Sequence, residues 1–162
     1  MQPSANLISF LKQTEGFSAR AYLDPPHNTR GLHSIGYGHQ IRLNEPQLLT
    51  KVLTQQEATL MLDADLRYYV DETNRALKRQ VTQSQFDALV DVAYNAGVCA
   101  MQHVAATWNT TGNVADTVAH LKLYNHANGV VNEDLVARRA HEAHWFQFGV
   151  LMQIVSVQKK NS

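Results

Sequence analysis

A single cysteine, Cys99, stands in the whole chain. That excludes an intramolecular disulfide framework and any metal site built from several thiolates. Cys99 follows Asn95-Ala96-Gly97, where a free cysteine is expected as a small buried residue rather than a nucleophile. An excess of charge of one sign is also lacking, because 14 Lys and Arg face 14 Asp and Glu, for a formal net charge of zero. Without a strong basic field, nucleic acid is not an expected partner. An anionic polymer would have to be met by local patches. No apolar stretch approaches the roughly 20 residues that cross a bilayer, so membrane insertion is not expected. The opening Met1-Gln2-Pro3-Ser4-Ala5-Asn6 lacks the basic start and apolar run of a secretory signal. Synthesis in a cytoplasm and delivery by another system are therefore expected.

What is present fits one soluble domain over residues 1–162, with 44% hydrophobic and 17% charged residues. Residues 4–15 read as a helix, capped by Ser4, striped by Leu7, Ile8 and Leu11, and ended by Gly16. Glu15 continues the four-residue spacing of Leu7 and Leu11, which sets it on the inward face at the last turn. Gly16, Gly31, Gly36, Gly38, Pro25 and Pro26 then punctuate the chain. The runs Ala21-Tyr22-Leu23 and His33-Ser34-Ile35-Gly36-Tyr37 suit strands of a small hairpin there. The capping box Thr54-Gln55-Gln56-Glu57 opens a long helix expected to reach about residue 79. A second box, Thr82-Gln83-Ser84-Gln85, precedes Phe86, Leu89, Val90 and Ala93 at helical spacing, and Gly97 stops that run. Asn113 is placed to cap a helix with Val114, Val118 and Leu121. Glu133 and Asp134 favour the start of a last helix through Phe146. The expected architecture is α+β and mostly α. It has a β-containing lobe at about 15–50, a connecting helix at about 54–79, a helical lobe at about 80–149 and a tail at 150–162.

Two carboxyl groups and one hydroxyl attract chemical interest. Hydrolysis of a glycosidic bond needs a protonated acid for the leaving oxygen and a second, ionised carboxylate nearby. An apolar face and the negative end of a helix dipole both disfavour the charged form of Glu15, which suits it to donate a proton. Asp24 follows the first strand beside the Pro25-Pro26 loop, where solvent would keep it ionised. Ser34, on the returning strand, could hold a water. Taken singly, Glu15 reads as a helix-end acid and Asp24 as a turn former. The ordered set says more. Glu15-Gly16-Phe17, Ala21-Tyr22-Leu23-Asp24, Gly31 and Ser34-Ile35-Gly36-Tyr37-Gly38-His39 together resemble the signature of the phage-type lysozymes, glycoside hydrolase family 24. The resemblance extends through Leu53-Thr54 with Glu57-Ala58, Phe86-Asp87-Ala88-Leu89 with Asn95 and Gly97, and Arg138-Arg139 with Glu142.

That resemblance implies a lysozyme-like fold with a cleft between its lobes. It implies hydrolysis of the β-1,4 bond between N-acetylmuramic acid and N-acetylglucosamine in bacterial peptidoglycan, by an inverting course and without a cofactor. It assigns Glu15 as the general acid, and Asp24 as the carboxylate that helps activate water and stabilise the oxocarbenium-like state. Ser34 stands where the family usually has threonine, keeping the hydroxyl but losing the methyl that stiffens its rotamer. His39 and Asp65 correspond to a structural pair tying the hairpin to the long helix. The segment 25–30, with His27 and Arg30, lengthens the interval from Asp24 to Gly31.

Other residues invite competing readings. The histidines of His141-Glu142-Ala143-His144 are three apart, whereas the zinc helix needs them four apart, so no metal site is expected. Arg138 and Glu142 read as a helix-stabilising pair. Tyr68, Tyr69, Trp108, Tyr124 and Trp145 read mostly as core, with sugar stacking open to some of them. Asn95 and Tyr37 are candidate substrate contacts. A phage endolysin acting as a monomer after holin-dependent delivery is the expected setting. The rivals are a secreted antibacterial effector with an immunity protein, a non-catalytic wall-binding or tail protein, and a metal-dependent amidase or peptidase.

Overall fold

A computed structural model describes residues 1–23 and 32–150. Asp24, His27, Arg30, Gly31 and the tail beyond residue 150 lie outside the described residues. Helix α1 (Ala5–Glu15) opens at Ser4, whose side-chain oxygen accepts from the Leu7 amide, and it buries Leu7, Phe10 and Leu11. Strands β1 (Ser18–Leu23), β2 (His33–Gly36) and β3 (His39–Gln40) follow and form an antiparallel sheet in that order. Ser18 pairs with Gly36 and Tyr22 with Ser34, with an irregularity between the two pairs. Gly36 has φ +69°, and a Cβ there would come 3.2 Å from the Cβ of Ala58. Glycine thus supplies the turn and lets the hairpin close onto the next helix.

That helix, α2 (Gln55–Ala76), starts in the expected capping box, since Thr54 and Glu57 each satisfy the other's backbone amide. It stops at Ala76, a little short of the expected 79. Asn109 accounts for the stop, because its Oδ1 accepts from the amides of Lys78 and Arg79 while its Nδ2 donates to the Ala76 carbonyl. Four helices make the second lobe: α3 (Gln83–Ala96), α4 (Val98–Thr111), α5 (Val114–Leu121) and α6 (Glu133–Phe148). Helix α4 and the exposed two-stranded pair β4 (His126–Ala127) and β5 (Val130–Val131) were not expected from the sequence. Every residue of α3 from Gln85 to Ala93 is buried, so α3 is the axis of that lobe, wrapped on all sides as a centrally packed helix must be.

The core is continuous across both lobes, from Leu7, Leu11 and Ile35 through Leu62 and Leu66 to Phe86, Leu89, Met101 and Phe146. Trp108 and Trp145 are buried in it, as expected, with Trp108 edge-on to Phe146 at 5.5 Å. Cys99 departs from expectation. It is exposed, because it lies on the outer face of α4 while Ala100, Met101 and Val104 take the inner one.

Candidate active site

Where β3, α1, α2 and α3 converge they leave a cleft of about 460 Å³, lined by Glu15, His39, Asp65, Tyr68, Tyr94 and Asn95 among others. Glu15 reaches it from the last turn of α1, just before Gly16 turns the chain away at φ +73°. Its Oε2 lies on the side of Gly38, where a Cβ would stand 3.9 Å from it. Its Oε1 accepts a hydrogen bond from Arg138 Nη1 at 2.8 Å. The apolar setting expected for Glu15 is thus corrected to an ionic one, because α6 delivers a guanidinium against it.

Arg138 does more than pair along its own helix. Its Nε and Nη2 donate to Asp91 Oδ2 and Oδ1 at 3.1 and 2.7 Å, a two-pronged grip that fits the guanidinium fork. Glu142, the expected partner, makes a loose i,i+4 ion pair with Arg138 Nε at 3.9 Å and is held more closely by the fully buried Arg139. Arg139 Nη2 also donates to Asn95 Oδ1 at 2.8 Å, which orients the Asn95 amide at the cleft. Burial pulls the Asp91 carboxyl upward more than any one neighbour lowers it, but Arg138, joined by a hydrogen bond from Glu142 and the charge of Arg139, holds the group below its ordinary value. Burial and the neighbouring Asp91 both push Glu142 well above the usual carboxylate range. Burial opposes the charge on Arg138, yet Asp91 and Glu15 overcome that and strengthen its hold on the proton.

His39 sits on β3 with Nδ1 2.7 Å from Asp65 Oδ2 and Nε2 3.1 Å from Glu45 Oε2. Asp65 is on α2 and also lies 3.6 Å from Arg42 Nη2, so these four side chains clamp the sheet to the long helix. Ser34 is buried on β2, paired across the sheet with Tyr22 and Gln40. It is not among the described residues that line the cleft. Nor does Tyr37 reach it. Its ring is 5% exposed, lies 5.6 Å from Phe17 and 5.3 Å below Lys12 Nζ, and its carbonyl accepts from Tyr94. That place suits packing, not contact with a sugar. Of the aromatic candidates, Tyr68 lines the cleft and is the most exposed, at 59%.

Asp91 and the bridging role of Arg138 were missed from the sequence. The available signal was the pair of acids, Asp87 and Asp91, inside the otherwise apolar stretch Phe86–Ala93, since a carboxylate buried there requires a cation or hydrogen-bond donors.

The profile of the family described as phage lysozyme matches residues 12–142. The endolysin of Bacillus phage PZA is 38% identical over 150 residues, 92% of this chain. This chain spans 56% of that endolysin's length, and 52% of the length of the endolysin of Bacillus phage B103. Among solved structures, the endolysin from Escherichia coli O157:H7 phage FAHEc1 superposes with a TM-score of 0.81 at 32% identity, covering 94% of this chain and 98% of that one. The muramidase domain of SpmX from Asticaccaulis excentricus gives 0.76 at 29% identity, covering 90% and 97%.

Proposed function

Because the chain belongs to the phage lysozyme family, we propose that it is a peptidoglycan hydrolase of the muramidase type, serving as an endolysin. It cuts the β-1,4 bond between N-acetylmuramic acid and N-acetylglucosamine and acts on the cell wall as a monomer. One observation carries this reading: Glu15, at the end of α1, opens onto a cleft large enough for sugar rings while Arg138 fixes one of its oxygens. A carboxyl group held at a stated place is what protonation of a departing glycosidic oxygen requires. Glu15 is the proton donor. Asp24, outside the described residues, takes the role of the second carboxylate, and the Ser34 hydroxyl helps place water. Asn95 contacts sugar from the helical lobe, and His39 with Asp65 keeps the sheet registered on α2. The roles of Asp24, Ser34, Asn95 and the His39–Asp65 pair rest on the family resemblance.

The test is digestion of purified peptidoglycan in excess chelator by the native chain and by Glu15→Gln, with product ends read by mass spectrometry. The native chain is expected to release muropeptides with reducing muramic acid ends, and the variant to lose at least about 100-fold in rate. Equal release by both proteins would remove Glu15 from the reaction. Binding without cleavage by both would replace the enzyme with a wall-binding module.

A further inference from the structure

The buried cluster behind Glu15 holds more charge than the reaction uses. Three carboxyl groups, Glu15, Asp91 and Glu142, meet two guanidinium groups, Arg138 and Arg139. Asp91, Arg139 and Glu142 are fully buried, and Arg138 is nearly so. While Glu15 is ionised, two cations balance two anions only if the third carboxyl carries a proton. Glu142 fits that part, because its Oε2 is buried with no donor among the described residues. A neutral carboxyl tolerates such a place and an ionised one does not. Asp91 then serves as the fixed counter-charge of Arg138.

This arrangement bears on a difficulty in the mechanism. A general acid must spend part of each cycle protonated, yet a lone guanidinium at 2.8 Å would hold Glu15 as an anion. We propose that Asp91 is a positioning residue for Glu15: it grips Arg138 by two hydrogen bonds from behind and neutralises it, so that Nη1 orients the acid without pinning its charge. Phe10 stacks under the same guanidinium at 5.9 Å, which leaves Arg138 held on the faces that Glu15 does not use. Besides Arg138 from α6, the titratable and charged groups around the cleft that Glu15 lines are Tyr94 from α3, Asp65, Tyr68 and Tyr69 from α2, His39 from β3 and Arg42 just beyond it. Facing Asp91 from α6 are Arg138, Arg139, Glu142 and His141. Of these, only Arg138 touches both acids.

The inference rests on the muramidase reading, and its test separates the two. The native chain is first assayed on purified peptidoglycan for release of reducing ends; no release would fail that reading before Asp91 is in question. Asp91→Asn is then compared with the native chain across pH, alone and combined with Glu142→Gln to prevent Glu142 from ionising in its place. The expected result is a basic limb of the kcat profile moved to lower pH by roughly one unit, with KM little changed. A limb that stays in place while only the Tm falls would make Asp91 purely structural and overturn the proposal. Should the variants fail to fold, carbon-detected NMR of the side-chain carboxyls in the native chain decides instead. A protonated Glu142 beside an ionised Asp91 at neutral pH is expected, and an ionised Glu142 or a protonated Asp91 would overturn the proposal.

Discussion

At the scale of single residues, the side chains that hold Glu15 also hold the protein together. Replacing Arg138 by Ala would strand the fully buried Asp91 carboxylate. An uncompensated buried charge of that kind costs about 3–5 kcal/mol. Chemical denaturation should therefore show a lower midpoint with an unchanged slope. Glu57 tests the sign of a simpler effect. Its hydrogen bond to Lys51, joined by those from Thr54, lowers its carboxyl from the ordinary 4.5 to about 2. A depressed value stabilises the folded state above pH 4.5, and that stabilisation is lost as pH falls toward 2. Glu57→Gln keeps an acceptor for the Thr54 amide but cannot ionise. Its Tm should accordingly depend less on pH over that window than the native chain's, in paired thermal melts. Glu15 was legible because it ends a local helical pattern beside the β lobe, whereas the His39–Asp65 juxtaposition was reached only through the family resemblance. The role of Asp91 was not legible, since its partner stands 47 positions away and an acid in an apolar stretch says that a partner is needed without saying which.

At the scale of elements, helix starts with a side-chain signature were readable, and those that depend on packing were not. Ser4, Thr54, Thr82 and Asn113 each accept the amide bonds that their types suggest. Thr82→Ala should cost about 1 kcal/mol, seen as a lower urea midpoint. Helix α4 has no such mark. It begins at Gly97 without a capping side chain and ends in Trp108-Asn109-Thr110-Thr111, residue types of middling helix propensity. What makes it a helix is the burial of Ala100, Met101, Val104, Ala105 and Trp108 on one face, a tertiary cause that overrides weak local preference. The β4–β5 pair was illegible for a related reason, because its two-residue strands are too short to show an alternation. Asn109 shows how far such joins reach. Asn109→Ala removes three hydrogen bonds between α4 and the end of α2. It is expected to destabilise by about 1–3 kcal/mol, with amide exchange rising first at residues 76–79.

At the scale of the whole molecule, the two lobes are less separate than their order along the chain suggests. Helix α1 precedes the sheet, yet its first turn docks on the helical lobe, where the Ser4 amide donates to Asp87 Oδ1 on α3 at 3.1 Å. A core shared in this way predicts one cooperative thermal transition, with calorimetric and van't Hoff enthalpies in agreement. Two resolved transitions would show that the lobes melt independently. The same threading has a consequence in time. The acid and its arginine are joined by a bond that spans 123 positions. At a synthesis rate of about 5–20 residues per second, the ribosome needs on the order of ten seconds to travel from one to the other. For that interval the nascent chain carries Leu7, Phe10 and Leu11 without α6 complete to close the core around them, and it carries Glu15 without the guanidinium that fixes its carboxylate. Any chain abandoned before residue 138 therefore lacks the arginine that fixes the Glu15 carboxylate, so the assembled cluster comes only once that residue has been made.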